Sequence, residues 1–244
     1  NLDNPQPVTP STVFPIASIS KTVAATALMR LHDQGRLDVE APVRDYLPGF
    51  ALADDDAART VKVWHLMTHT PGWEGQLDTA DRGPATSEHF VESLRTLPQH
   101  APPGEVWAYN NAGWGVAGRI IEVLTEQNIG DALHELVFEP LGLDRACAST
   151  GLATSFRFAA PHTKSDGGET IVQRPFTLPV SVAAGGCAMS VENLLSYARF
   201  HLGDGTIQRS GGGTERLLSE GSLLQMRTAR VVKNSSTRWD SAGI

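Results

Sequence analysis

Ser18 and Lys21 stand three positions apart in Ser18-Ile19-Ser20-Lys21, at the head of a long alanine-rich stretch. On a helix that spacing puts both side chains on one face, with the amine within hydrogen-bond reach of the hydroxyl. Serine attacks a carbonyl carbon only when a base takes its proton, and lysine serves once burial or a nearby cation holds it neutral. The positive end of the helix disfavours an ammonium at the same place. The blander assignment makes Ser18 an N-cap and Lys21 a surface charge. A solvated lysine does not suit a helix as apolar as this one, and that favours the chemistry.

Tyr109-Asn110-Asn111 is the second constellation. A phenol beside a lysine can relay a proton, and an amide can orient a substrate carbonyl or fix the amine. The alternative is a packed loop tyrosine followed by a turn asparagine. Gly113, Gly115 and Gly118 complete a Gly-x-Gly-x-x-Gly, but neither a hydrophobic strand before it nor a second strand with an acidic end after it accompanies a dinucleotide fingerprint here. Those glycines read as sites of close helix packing. His65 and His69 have zinc-helix spacing, yet Leu66 stands where a metalloprotease needs glutamate and no third ligand is suitably spaced. Neither a metal nor another cofactor is expected.

The elements that must position these residues follow from periodicity and punctuation. Residues 18–34 read as a helix, apolar nearly all round and stopped by Gly35, which belongs in the middle of a fold with its N-terminus at a site. Further helices are expected from Ser87, as N-cap, to about Leu97, over 112–126 and 129–137, from Ser190 as N-cap over 191–202, and over 219–228. Residues 151–178 read as a loosely structured excursion and Gly211-Gly212-Gly213 as a surface loop. Strand signals are scarce, the best being Thr60–Val63, Thr170–Gln173 and Arg230–Lys233.

Composition excludes several classes. The 244 residues are 41% hydrophobic and 19% charged, with 20 Lys and Arg against 27 Asp and Glu, for a net charge of -7. That is a globular chain without the basic footprint of a nucleic-acid binder. No apolar run approaches membrane-spanning length, and the N-terminus lacks signal-peptide character. A removed targeting segment would make the protein periplasmic or secreted; otherwise it is cytoplasmic. Cys147 and Cys187 are too few for a disulfide scaffold and read as two buried thiols, with one disulfide as the alternative.

In order, Thr12 to Lys21, Gln34-Gly35-Arg36-Leu37-Asp38, Tyr46-Leu47-Pro48, His65-Leu66-Met67-Thr68-His69-Thr70-Pro71-Gly72, Pro103-Gly104, Tyr109-Asn110-Asn111-Ala112-Gly113, Ile120-Ile121-Glu122, Pro140-Leu141-Gly142-Leu143 and Ala184-Gly185-Gly186 resemble the serine β-lactamase-related family. That family includes class C β-lactamases, penicillin-binding D-alanyl-D-alanine peptidases and related esterases. The resemblance implies an α+β fold, an antiparallel sheet with flanking helices plus an inserted all-helical lobe. Residues 1–60 and 180–244 would belong to the α/β lobe and 61–179 to the helical lobe, with the site between.

The resemblance also implies a serine hydrolase that works through an acyl-enzyme on a small-molecule or peptide amide or ester. Ser18 would be the nucleophile, Lys21 and Tyr109 the proton carriers with either taking the first proton, and Asn111 a substrate contact. The Ser18 N–H would supply half of an oxyanion hole, worth about 3 kcal/mol per donor. β-Lactam or D-alanyl peptide chemistry is expected first and carboxylesterase second, with a slowly acylating recognition module as the non-enzymatic alternative. The family's late Lys-Thr-Gly or His-x-Gly strand motif has no counterpart, since His201-Leu202-Gly203 falls at a helix end. The sequence therefore reads as an interior portion of a longer family member, with several sheet strands missing.

Overall fold

The computed structural model describes residues 5–75, 86–173, 182–209, 211–232 and 241–242. Its helices are α1 (Ser20–Asp33), α2 (Asp55–Thr60), α3 (Val63–Met67), α4 (Ser87–Ser93), α5 (Asn111–Thr125), α6 (Ile129–Leu133), α7 (Thr150–Ala153), α8 (Val182–Gly185), α9 (Val191–Leu202) and α10 (Glu220–Arg227). Its strands are β1 (Val13–Pro15), β2 (Ala146–Cys147), β3 (His162–Lys164), β4 (Thr170–Val172), β5 (Ala188–Ser190), β6 (Thr206–Gln208), β7 (Thr214–Arg216), β8 (Val231–Val232) and β9 (Ser241–Ala242).

Helix α1 is the axis of the core. Val23, Ala24, Ala25, Ala27, Leu28, Met29 and Leu31 are all buried, and the alanines among them let α5 and α8, which also pack on each other, approach α1 closely. The helix ends as its composition dictates: Gly35 turns left-handed at φ +69°, and the Arg36 N–H returns to the Leu31 carbonyl. On α5 the glycines act as packing sites. A Cβ at Gly115 would collide with the Phe90 ring of α4, and one at Gly118 would sit 3.1 Å from Ala183 of α8.

A three-stranded antiparallel sheet of order β1-β5-β2 lies at the nucleophile end of α1. Its central residue Met189 pairs with Phe14 on one side and Ala146 on the other. The sheet separates the cysteines. Cys147 packs in a small cluster with Val13 and Ala188, whereas Cys187 points into the main core. Both are buried free thiols, and burial pushes Cys187 up to about 12. Two-stranded pairs β3-β4, β6-β7 and β8-β9 complete the described sheets, with Gly211-Gly212-Gly213 exposed in the β6-β7 turn. The family fold expected from the sequence, helices over an antiparallel sheet, is the one observed.

Several expectations need correction. Thr86, not Ser87, caps α4: its hydroxyl accepts the His89 N–H at 3.1 Å. That helix stops at Ser93 and tightens into a 3-10 turn over Leu94–Thr96. The expected strand Thr60–Val63 is instead the junction of α2 and α3, extended only at Val61 and Lys62. The 129–137 helix widens into a π-helical turn over His134–Phe138. Within the supposed loose excursion, β3 and β4 form a hairpin, while residues 174–178 lie outside the described set. Of the expected strand Arg230–Lys233, Val231–Val232 pairs with β9 and Lys233 also lies outside it. The expected strand Thr170–Gln173 contains β4, and strands β1, β2, β3, β5, β6, β7 and β9 went unread because two or three residues are too few to show alternation.

Candidate active site

Ser18 sits in a single 3-10 turn, Ala17–Ile19, that feeds directly into α1. The preceding Ala17 is left-handed at φ +45°, uncommon for a residue with a Cβ. Ser20 holds this elbow. Its fully buried hydroxyl donates to the Ala17 carbonyl at 2.6 Å and accepts the Cys187 N–H at 2.9 Å. The Ile16 N–H adds a bond to the Cys187 carbonyl at 3.0 Å. Chain on both sides of Ser18 is thus tied to the start of β5.

Lys21 is only 5% exposed. Its Nζ donates to Ser18 Oγ at 3.2 Å, to Asn111 Oδ1 at 2.7 Å and to the Ala184 carbonyl at 2.5 Å. It also lies 4.8 Å from the centre of the Tyr109 ring. Burial lowers the lysine's pKa from its ordinary value, opposed by the neighbouring Tyr109. The partners come from the 3-10 turn before α1, from α5 and from α8, so the amine is held in place by the packing of the core helices.

Tyr109 also reaches Ser18: its hydroxyl donates to Ser18 Oγ at 2.6 Å. The phenol is 41% exposed, so the convergence point opens to solvent. The segment carrying it rests on the turn after α3. Gly104 and Ala108 N–H groups bond the carbonyls of Thr70 and His69, at 2.8 and 3.0 Å. Asn110 caps α5 through the Gly113 N–H at 2.7 Å and donates to the Trp73 carbonyl at 2.8 Å. The Gly75 carbonyl takes the Asn111 N–H at 3.0 Å, and a Cβ on Gly75 would overlap the Tyr109 carbonyl. The His65-to-Gly72 run therefore seats the Tyr109 segment.

The four residues singled out in the sequence are brought together, with Asn111 Oδ1 turned toward Lys21. His65 is buried and its Nδ1 accepts the Lys62 N–H at 2.9 Å; burial foremost lowers it to about 4. His201 lies in the last turn of α9, 3.0 Å from Thr26 Oγ1 and far along α1 from Ser18. Among the described residues no three His, Cys, Asp or Glu side chains converge. Sequence reasoning missed the parts played by Ser20, the Ala184 carbonyl, Gly75 and the His69 carbonyl. Ser20 stands out as a small polar residue inside an apolar helix, while His69 and Ala184 entered within the family-like segments.

A serine and lysine three residues apart, met by a tyrosine from just before a second core helix over a small antiparallel sheet, define a serine β-lactamase-like fold. The sequence model of the family described as beta-lactamase matches residues 1–243, and the chain belongs to that family of serine hydrolases. It is 38% identical to penicillin-binding protein 4 of Amycolatopsis lactamdurans, over 90% of this chain and 58% of that one. It is 35% identical to esterase EstB of Burkholderia gladioli, over 64% of this chain and 43% of that one. The octameric penicillin-binding protein homologue from Pyrococcus abyssi shares the fold at a TM-score of 0.80 and 23% identity, across 99% of this chain and 55% of that one. The chain thus spans about half the length of the curated relatives it matches.

Proposed function

We propose that Ser18 is the nucleophile of an acyl-enzyme hydrolase, and the observation that carries this is the convergence of Lys21 Nζ and Tyr109 OH on Ser18 Oγ. As an ammonium, Lys21 would spend its three protons on its three oxygen partners. As a neutral amine it keeps two protons for Asn111 Oδ1 and the Ala184 carbonyl, and its lone pair is left for the Ser18 hydroxyl proton. Burial favours that neutral form.

As Oγ bonds the substrate carbonyl carbon, the Ser18 proton passes to Lys21, directly or through the Tyr109 hydroxyl. The resulting oxyanion takes the Ser18 N–H. Collapse breaks the bond to the leaving group, which leaves with the proton returned by the same pair. Water then repeats the sequence on the acyl-serine. Ser18 and Lys21 come from the α/β portion, residues 1–60 and 180–244, and Tyr109 and Asn111 from the helical portion, residues 61–179, so the substrate lies between the two. Asn111 contacts it there.

A β-lactam or a D-alanyl peptide is the first substrate class, which the relationship to penicillin-binding protein 4 supports. A carboxylic ester is the second, supported by the esterase relative. Intact-protein mass after exposure to a fluorophosphonate, and separately to a penicillin, tests the reading. A single adduct is expected, absent from Ser18→Ala, and the penicilloyl adduct should decay with time. Labelling that survives in Ser18→Ala contradicts the nucleophile. An adduct that never decays makes the protein a recognition module without turnover.

A further inference from the structure

We infer that His69 is the positioning residue for Tyr109, holding its backbone and ring so that the phenol stays on Ser18; this rests on the proposed role of Tyr109. Two bonds from one residue bracket the tyrosine. The Ala108 N–H, one position before it, donates to the His69 carbonyl at 3.0 Å, and the Asn110 N–H, one position after it, donates to His69 Nδ1 at 2.8 Å. The His69 ring then stacks on the Tyr109 ring, centres 4.5 Å apart and planes 24° from parallel. Trp107 and Trp114 pack against the same imidazole at 5.9 and 6.3 Å.

Only a particular backbone delivers all three contacts from one position. His69 is left-handed at φ +61°, a region most side chains avoid and histidine and asparagine tolerate better than most. In that conformation the carbonyl and the ring of one residue face the same neighbouring segment. Tyr109 needs the support, because its half-exposed phenol would otherwise be free to turn into solvent. Because Nδ1 accepts, the ring proton resides on Nε2.

This arrangement assigns His69 an effect on the rate of bond making and none on the affinity for the carbonyl compound. His69→Asn separates the parts. Asparagine Oδ1 occupies the place of Nδ1 and the residue accepts the left-handed backbone, so the bracket is kept and the ring removed. Saturation kinetics of acylation by a penicillin are measured by intact mass for the parent, His69→Asn, Tyr109→Phe and the double variant, with melting temperatures alongside.

His69→Asn is expected to lower the limiting acylation rate about tenfold, leaving the half-saturating concentration within about twofold. In the Tyr109→Phe background the same substitution should cause no further loss, since the hydroxyl it positions is gone. Should His69→Asn fold poorly, His69→Gly, which takes the left-handed backbone without strain, enters the same cycle. A parent-like rate for His69→Asn, or a loss that multiplies with that of Tyr109→Phe, overturns the inference while leaving Ser18 as nucleophile. Parent-like acylation by Tyr109→Phe alone removes both this inference and the proton role proposed for Tyr109.

Discussion

Lys21 Nζ and Asn111 Oδ1 lie 2.7 Å apart, a bond that joins the first turn of α1 to the first residue of α5. It takes up one proton of the amine with a neutral acceptor. Asn111→Asp would place a carboxylate there and favour the ammonium, raising the lysine's lowered pKa. Acylation should rise with pH through the lysine pKa in the parent. In Asn111→Asp that rise should move to higher pH, and a profile of acylation rate against pH reads it. An unmoved profile would separate Lys21 from the proton transfer.

Lys21→Arg keeps the charge and removes the base. A guanidinium stays protonated and cannot accept the Ser18 proton. Phosphonylation by a fluorophosphonate should fall by about 10² or more, the usual range for losing a general base. Near-parent labelling would assign the base role to Tyr109 alone.

Two glycines should fail in different ways. Gly75→Ala places a methyl against the Tyr109 carbonyl, so the tyrosine moves off Ser18 and acylation drops. Gly115→Ala instead places a methyl into the Phe90 ring of α4 and against no residue of the Tyr109 segment. It should cost about 1–3 kcal/mol of stability, as overpacking does, with the acylation rate of folded protein little changed. Melting curves and acylation rates of the two variants, side by side, check the contrast.

Acid should destabilise the fold through its buried histidines. His65 is lowered from 6.5 to about 4, so between those values the unfolded chain takes up a proton the folded chain refuses. Stability therefore falls as pH drops through that window, by roughly 3 kcal/mol at about 1.4 kcal/mol per pH unit. His201, lowered to about 4 as well, adds in the same direction. His65→Asn retains an acceptor for the Lys62 N–H without titrating. Denaturant unfolding at pH 4.5 and 7, values of roughly the window's ends, should show a smaller difference for the variant.

The nucleophile helix was legible because its chemistry is local. A polar Ser-x-x-Lys at the head of an alanine-rich stretch is a contradiction that burial and catalysis resolve together. The cap Ser190 was legible for the same reason, its hydroxyl accepting an N–H three residues on, whereas Ser219, read as the first residue of the last helix, is its cap. Thr86 and Ser87 are both good caps, and nothing local chooses between them. Strand β5 depends on partners 43 and 175 residues away, as in the pairs Ala146 with Met189 and Phe14 with Met189. Ala184-Gly185-Gly186 was legible as a family-like segment, but that the Ala184 carbonyl anchors Lys21 was not, since every residue carries a carbonyl. What brought it to the amine is the packing of α8 on α1.

The most direct test of the account is to locate the acyl group. Ser18 and Ser20 are two residues apart, yet only Ser18 Oγ meets Lys21 and Tyr109, while the Ser20 hydroxyl is buried and given to the Ala17 carbonyl. Tandem mass spectrometry of the penicilloyl or phosphonyl peptide from the folded chain should place the whole adduct on Ser18. An adduct on Ser20 or on any other residue, or none on a folded chain, would contradict it.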